Sequence, residues 1–358
     1  MFMLNNYNCQ VRKNMKSIKE IAWNVSEPEY RADPAISYST LSRFEREGFR
    51  KLSSLYDKID TPSLQFGSAV DTMLTDGEDA FYENYVVCEF PSLSDSLIAI
   101  TKELHRKFKE THRKVDTIPD SDIDMVALAN NYYANPKYAA YRVKNVKESC
   151  NEYYNLLTLA EGKTVLSTDD YQDIIRCVEE LRNNVATSSF FTMNPFVKDI
   201  EKVFQLKFKA TYNGIPVRCM FDELIVDHRN KVIYPIDLKT TGHPEEEFNG
   251  SFSQWRYDIQ AKLYSYILAQ CIAQDEYFKD FKITYYQFIV INRRTVAPLI
   301  WEFDGNFGEV DLKDENGNVL RDWRKILTDL VYYQNNSTRY SKEALANGCI
   351  MKIKLETC

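Results

Sequence analysis

The stretch VIYPIDLKTTG, Val232 to Gly242, sets Asp237 and Lys239 two residues apart inside an apolar run, directly after a proline. A second acid, Asp222, lies upstream in IPVRCMFDELIVD. A hairpin turning at Arg229–Asn230 would pair Val226 with Ile233 and Asp222 with Asp237. Directly opposed residues share a face, with Cα atoms about 4.5–5.5 Å apart. Like charges so placed repel by about 3–4 kcal/mol at a protein-surface dielectric, so an ordinary sheet avoids them. A divalent cation between them turns the liability into a site. Strand period two sets Lys239 on the face of Asp237, about 7 Å along, and turns Leu238 toward the core. Pro235 removes one ladder donor, as suits an edge or a bulge. Two carboxylates and an ammonium on one spot suit metal-assisted phosphodiester hydrolysis, with the lysine positioning or deprotonating the attacking water. Magnesium fits, because it takes few carboxylates and keeps several waters.

Other residues extend this set. Gln260 and Tyr264 stand at i and i+4 of the following helix, about 6 Å apart on one face. Arg43, Arg46 and Arg50 make a basic stripe that could hold DNA phosphates without reading sequence, although Glu45 and Glu47 lie beside it. Trp255 and Arg256, just before Gln260, are placed for stacking or phosphate contact. A second VDLK, Val310 to Lys313, lies between polar flanks and reads as a surface turn. LAEGKTVL lacks the first glycine of a phosphate-binding loop. His228 and His243 read as surface residues.

The elements that must carry these residues follow from periodicity. Helices are expected in TLSRFEREGFRKLSSL, with Leu41, Phe44, Leu52 and Leu55 inward, and in FGSAVDTMLTDG. The region from about 98 to 190 reads as mostly helical, including a basic helix TKELHRKFKETHRK. KVFQLKFKATYNG alternates, with Phe204, Leu206, Phe208 and Ala210 on one face. Two further strands, a helix over about Phe252–Ala273, two more strands and a C-terminal helix LRDWRKILTDLVYYQ complete an α/β or α+β order with a mixed sheet.

The chain has 358 residues, 44% of them apolar, which bounds it to one large or two small globular domains. Eight scattered cysteines without a CxxC pair argue against zinc or an iron–sulfur cluster and suit a reducing compartment. No run approaches 18 apolar residues and the start lacks a signal segment, so a cytoplasmic protein away from membranes is expected. The net charge of −7 leaves nucleic-acid binding to local patches.

Asp222, PIDLKTT and QAKLY, taken in order, resemble the PD-(D/E)XK nuclease superfamily in its RecB/RecE-like (exonuclease VIII-like) phage-type branch. LQFGSAVDTMLTDGEDAFYENYVV is similar to the segment that holds the first active-site helix there, so the likeness spans about 36 to 300. It implies a restriction-endonuclease-like core over 36–305, a central mixed sheet flanked by helices with a helical insertion. Residues 1–35 would be peripheral and 306–358 an extension. It also implies Mg2+ or Mn2+, no nucleotide, and metal ligands Asp71, Asp222, Asp237 and the backbone carbonyl of Leu238. Asp71 stands where relatives commonly carry histidine, and Glu201 resembles a carboxylate many of them keep. Lys239, Gln260 and Tyr264 would complete the catalytic set. The partners implied are DNA, a single-strand annealing protein and further copies in a ring, in a host cytoplasm if phage-encoded. The rival readings are a nuclease-fold protein that binds DNA or a recombination partner without cutting, and a structure-specific endonuclease.

Overall fold

The computed structural model describes residues 15–57, 59, 61–192, 197–306, 308–336 and 338–351. Cys9, Cys358 and the first 14 positions of the expected peripheral segment lie outside the described residues. The chain divides into two compact units, Met1–Asp60 with Glu180–Cys358, and Thr61–Glu179.

The first unit is built on a six-stranded mixed sheet: β1 Ile200–Tyr212, β2 Ile215–Asp227, β3 Val232–Thr241, β4 Lys282–Ile283, β5 Tyr286–Asn292 and β6 Leu299–Phe303. Its order is β1-β2-β3-β5-β6, with β4 beside the first part of β3. Asn213 and Gly214 turn the first hairpin with φ of 48° and 79°. A two-residue loop with both φ positive matches strand twist, which is why Asn-Gly is found there. The second hairpin closes where Asp227 Oδ1 accepts the Asn230 N–H at 2.8 Å, and Val226 pairs with Ile233 as the spacing requires. β3 and β5 are parallel, so a helical crossover joins them. It consists of α2 Phe248–Trp255 and α3 Tyr257–Ala273, preceded in the chain by α1 Tyr38–Glu47 and followed by α4 Trp323–Asn335.

One face of the sheet packs on α3, where Phe221, Val226, Phe288 and Val290 meet Ile259, Leu263 and Ile267. Gly305 lets the chain after β6 pass close to α3, because a Cβ there would lie 2.2 Å from Ser265 Oγ. The second unit is mainly helical, with a core that includes Leu97, Ile100, Ile123, Val146, Cys150 and Tyr154. A short parallel pair joins Tyr85–Val87 to Thr164–Leu166. No helix among the described residues is long and apolar enough to cross a membrane.

Several expectations needed correction. The first expected helix stops at Glu47, because Gly48 adopts φ 77° and a 3-10 segment follows over Phe49–Ser54. The helix expected over Phe252–Ala273 starts at Phe248 and breaks at Arg256, φ 62°, into α2 and α3. The basic helix ends at Phe108. Along β1 the alternation changes phase at Gln205, φ 52°, so Val203 joins Phe208 in the core and Phe204 leaves it. Pro235 lies in a central strand, where its missing N–H falls in the ladder gap between Ile283 and Tyr286.

Candidate active site

β2 and β3 run as a paired ladder from Asp227↔Val232 to Glu223↔Ile236 and part there. Asp222 and Asp237 occupy the next position, at the fork. Beyond it β3 continues with β5, pairing Asp237 with Phe288 and Lys239 with Val290. On the edge of β2 that β3 has left, Ile36 makes a one-residue bridge to Val217. The opened ladder lets Asp222 turn sideways, and its Oδ2 accepts the Leu238 N–H at 2.9 Å. In an extended strand a residue's N–H and C=O point to the same side, so the Leu238 carbonyl also faces the fork.

Asp237 is 1% exposed. Gln260 Nε2 donates to its Oδ1, and Lys239 Nζ lies 2.6 Å from its Oδ2. That lysine contact is too poorly aligned for a hydrogen bond, so Oδ2 has electrostatic company alone. Gln260 Oε1 and the Tyr286 hydroxyl are likewise buried without a hydrogen-bond partner among the described residues. Buried polar atoms are nearly always satisfied, so this cluster has room in its bonding for a hydrated ligand.

Burial pushes the Lys239 ammonium down, but Asp237, Tyr257, Asp222 and Tyr38 outweigh it and hold its pKa above the ordinary lysine value. The ammonium also rests 4.5 Å from the Tyr257 ring centre, a cation–π contact. Burial raises the Tyr264 and Tyr286 phenols, with Asp237 and Asp222 adding to it, so both stay protonated beside the acids. Tyr264 packs edge-on against Phe221, 5.3 Å between centroids, which fixes its ring. Tyr257, Gln260 and Tyr264 fall at i, i+3 and i+7 of α3. The helical period that picked out the last two could have found Tyr257 as well.

Two carboxylates and a backbone carbonyl are a donor set that magnesium accepts when waters or substrate oxygens complete its shell. Among the described residues no three His, Cys, Asp or Glu side chains form a metal cluster, so the fit depends on such small, hard-cation sharing. Asp71 lies half-buried in the second unit, on the helix Pro62–Thr75, where the Thr75 hydroxyl donates to its carbonyl.

Glu201 lies elsewhere. It pairs with Val226, four positions beyond Asp222 along β2, which at about 3.3 Å per residue is about 13 Å away. There it accepts bonds from Ser17 Oγ, Ile18 N and His228 Nε2, beside a cavity of about 350 Å³ lined by Lys16, Lys19, Lys198 and Lys202. His228 is therefore a buried bonding partner and not a surface residue, whereas His243 is exposed.

The basic residues also separate. Arg43 is bound to Glu47 and to the carbonyls of Leu55 and Asp57. Arg46 and Arg50 are exposed. Arg256 is 5% exposed and holds Asp258 through two bonds of 2.9 and 3.0 Å, so it braces the start of α3 and is not open to phosphate. Trp255 is 44% exposed. The second VDLK forms part of a small hairpin, Leu312–Lys313 with Val319–Leu320.

No family model matches this chain, and no curated protein matches it. Among solved structures it is similar to a Eubacterium rectale protein described as a "putative exonuclease", with a TM-score of 0.43 and 11% identity over 93% of this chain and 97% of that one.

Proposed function

We propose that the fork between β2 and β3 is the active centre of a divalent-metal-dependent deoxyribonuclease of the PD-(D/E)XK type, in the finer reading a RecE-like exonuclease. The observation that carries this reading is the set of contacts on Asp237: Gln260 on one oxygen, Lys239 on the other, and Asp222 tied to the adjoining Leu238 N–H. Asp222, Asp237 and the Leu238 carbonyl would hold magnesium or manganese. When bound, the ion supplies charge neutralisation for a phosphoryl oxygen and a more acidic water. Gln260 orients the Asp237 carboxylate. Lys239, 2.6 Å from Asp237 Oδ2, would donate to the attacking water or to a phosphate oxygen. Tyr264 keeps its proton and can donate to the substrate.

The test is digestion of end-labelled linear duplex beside a closed circular control, with magnesium and with EDTA. The exonuclease reading expects loss of the linear DNA with magnesium, sparing of the circle, and no digestion in EDTA. Lys239→Ala should slow the reaction at least about 100-fold, the scale of removing one aligned donor. If Lys239→Ala digests DNA at the parental rate, the assignment is wrong. Cutting of the circle would point to an endonuclease. Asp71, at the position where relatives commonly carry histidine, motivates one second reading, a non-cutting DNA-binding protein. Binding without turnover under both metals would select it. Asp71→Ala in the same assay tests the acid at the usual histidine position.

A further inference from the structure

The break at Arg256 sends two neighbouring side chains in opposite directions. Arg256 turns inward to Asp258 and Glu45, while Trp255, the last residue of α2, keeps its indole 44% exposed. That ring is held in place. The Tyr38 hydroxyl donates to the Trp255 carbonyl at 2.8 Å, and the Arg46 guanidinium carbon lies 5.2 Å from the indole centre. Arg46 is exposed, and among the described residues no carboxylate pairs with it, unlike Arg43 with its Glu47. The Arg46 guanidinium also donates to the Trp255 carbonyl at 3.4 Å, so an open indole and a solvent-facing positive charge are presented together. Half-buried aromatic contacts lead from it toward the acids: Tyr38 lies 6.2 Å from Tyr257, and Tyr257 carries the Lys239 ammonium at 4.5 Å.

We propose that Trp255 and Arg46 form a stacking ledge for an unpaired base of single-stranded DNA, with the guanidinium on the adjacent phosphate, next to the lysine end of the fork. This rests on the nuclease reading for the identity of the polymer. Bases stack on an aromatic ring whatever their sequence, and arginine adds both charge and a flat surface. A paired base inside a duplex has no free face to offer. The ledge therefore favours single strands, overhangs or frayed ends, and it would place an unpaired nucleotide beside the phosphodiester to be cut.

The experiment measures binding of a short fluorescein-labelled oligo-dT and of a blunt duplex by anisotropy in EDTA, so that it does not depend on catalysis. Trp255→Ala and Arg46→Gln are each expected to weaken oligo-dT binding roughly 5- to 100-fold, the range for losing one stacked base. Duplex affinity should change less than the single-strand affinity. Trp255→Phe keeps a ring and should retain most of the binding, which separates stacking from misfolding. Equal affinity of parent and Trp255→Ala for oligo-dT would overturn the ledge. So would a change of sedimentation behaviour in Trp255→Ala with unchanged DNA binding, because the patch would then be a protein contact. If the parent cuts linear DNA yet the variants bind as it does, this inference alone fails. If the parent neither binds nor cuts DNA, the nuclease reading fails with it.

Discussion

Glu223 follows Asp222 in the chain but faces the other side of the sheet, across from Ile236. It is 1% exposed and neither carboxylate oxygen has a hydrogen-bond partner among the described residues. Burial raises its pKa to about 8, with Lys202 drawing it back. A carboxyl that stays protonated in the fold but ionises in the unfolded chain stabilises the protein at low pH. That contribution is whole below about 4.5 and is lost as pH rises toward about 8. In metal-free buffer, stability should fall across this window by about 1 kcal/mol per pH unit. Glu223→Gln should flatten the slope and be the more stable form at about pH 8. Denaturant midpoints at the two ends of the window check this. An unchanged slope in the variant would place the titration elsewhere. Asp222, one residue away, has a donor where Glu223 has none, because its carboxylate accepts the Leu238 N–H at the fork.

At the scale of elements, the position of α3 decides whether Gln260 and Tyr264 reach the acids. The start of α3 is set by Arg256, whose left-handed backbone, φ 62°, ends α2. Its guanidinium ties Asp258 of α3, Glu45 of α1 and the Arg321 carbonyl before α4. Farther along, Lys262 holds the fully buried Asp322, which caps α4. Removing one member of a buried charged set leaves the other uncompensated, typically at a cost of about 3–5 kcal/mol. Arg256→Ala is therefore expected to lower unfolding free energy by about that amount. Adding Asp258→Asn should recover part of the loss, since no buried charge is then left alone. Chemical denaturation of the two variants decides it: an Arg256→Ala protein as stable as its parent would mean that the three elements are held by apolar packing alone.

At the scale of the molecule, a protein of net charge −7 must meet a polyanion through a local patch. The exposed Arg46 and Arg50 and the half-buried Lys239 supply positive charge in the first unit, while the acid pair favours a cation. A ligand at 100 times its dissociation constant stabilises the state that binds it by about 2.7 kcal/mol. Magnesium should therefore shift thermal unfolding upward, and the shift should vanish in Asp222→Asn with Asp237→Asn. Because the chain has two compact units, melting need not be a single step, and the effect belongs to the transition of the unit that carries the fork. No shift in the parent at high magnesium would remove the metal from the proposed mechanism.

Much of the candidate site was legible in the amino-acid order because its rules are local. The Val226↔Ile233 register follows from turn length, and that register brings Asp222 and Asp237 to neighbouring positions. Gln260 and Tyr264 share a face because a helix repeats every 3.6 residues. Tertiary structure decided what these rules do not contain. The ladder opens after Glu223↔Ile236 because β3 takes β5 as its partner, and only then can Asp222 turn sideways to Leu238. Glu201 is claimed by Ser17, Ile18 and His228, and Arg256 by carboxylates from two helices. Apart from Asp258, those partners lie far away in the chain, Ser17 by 184 residues from Glu201 and Glu45 by 211 from Arg256, so their competition for a side chain is settled by packing and desolvation, which no short-range period records.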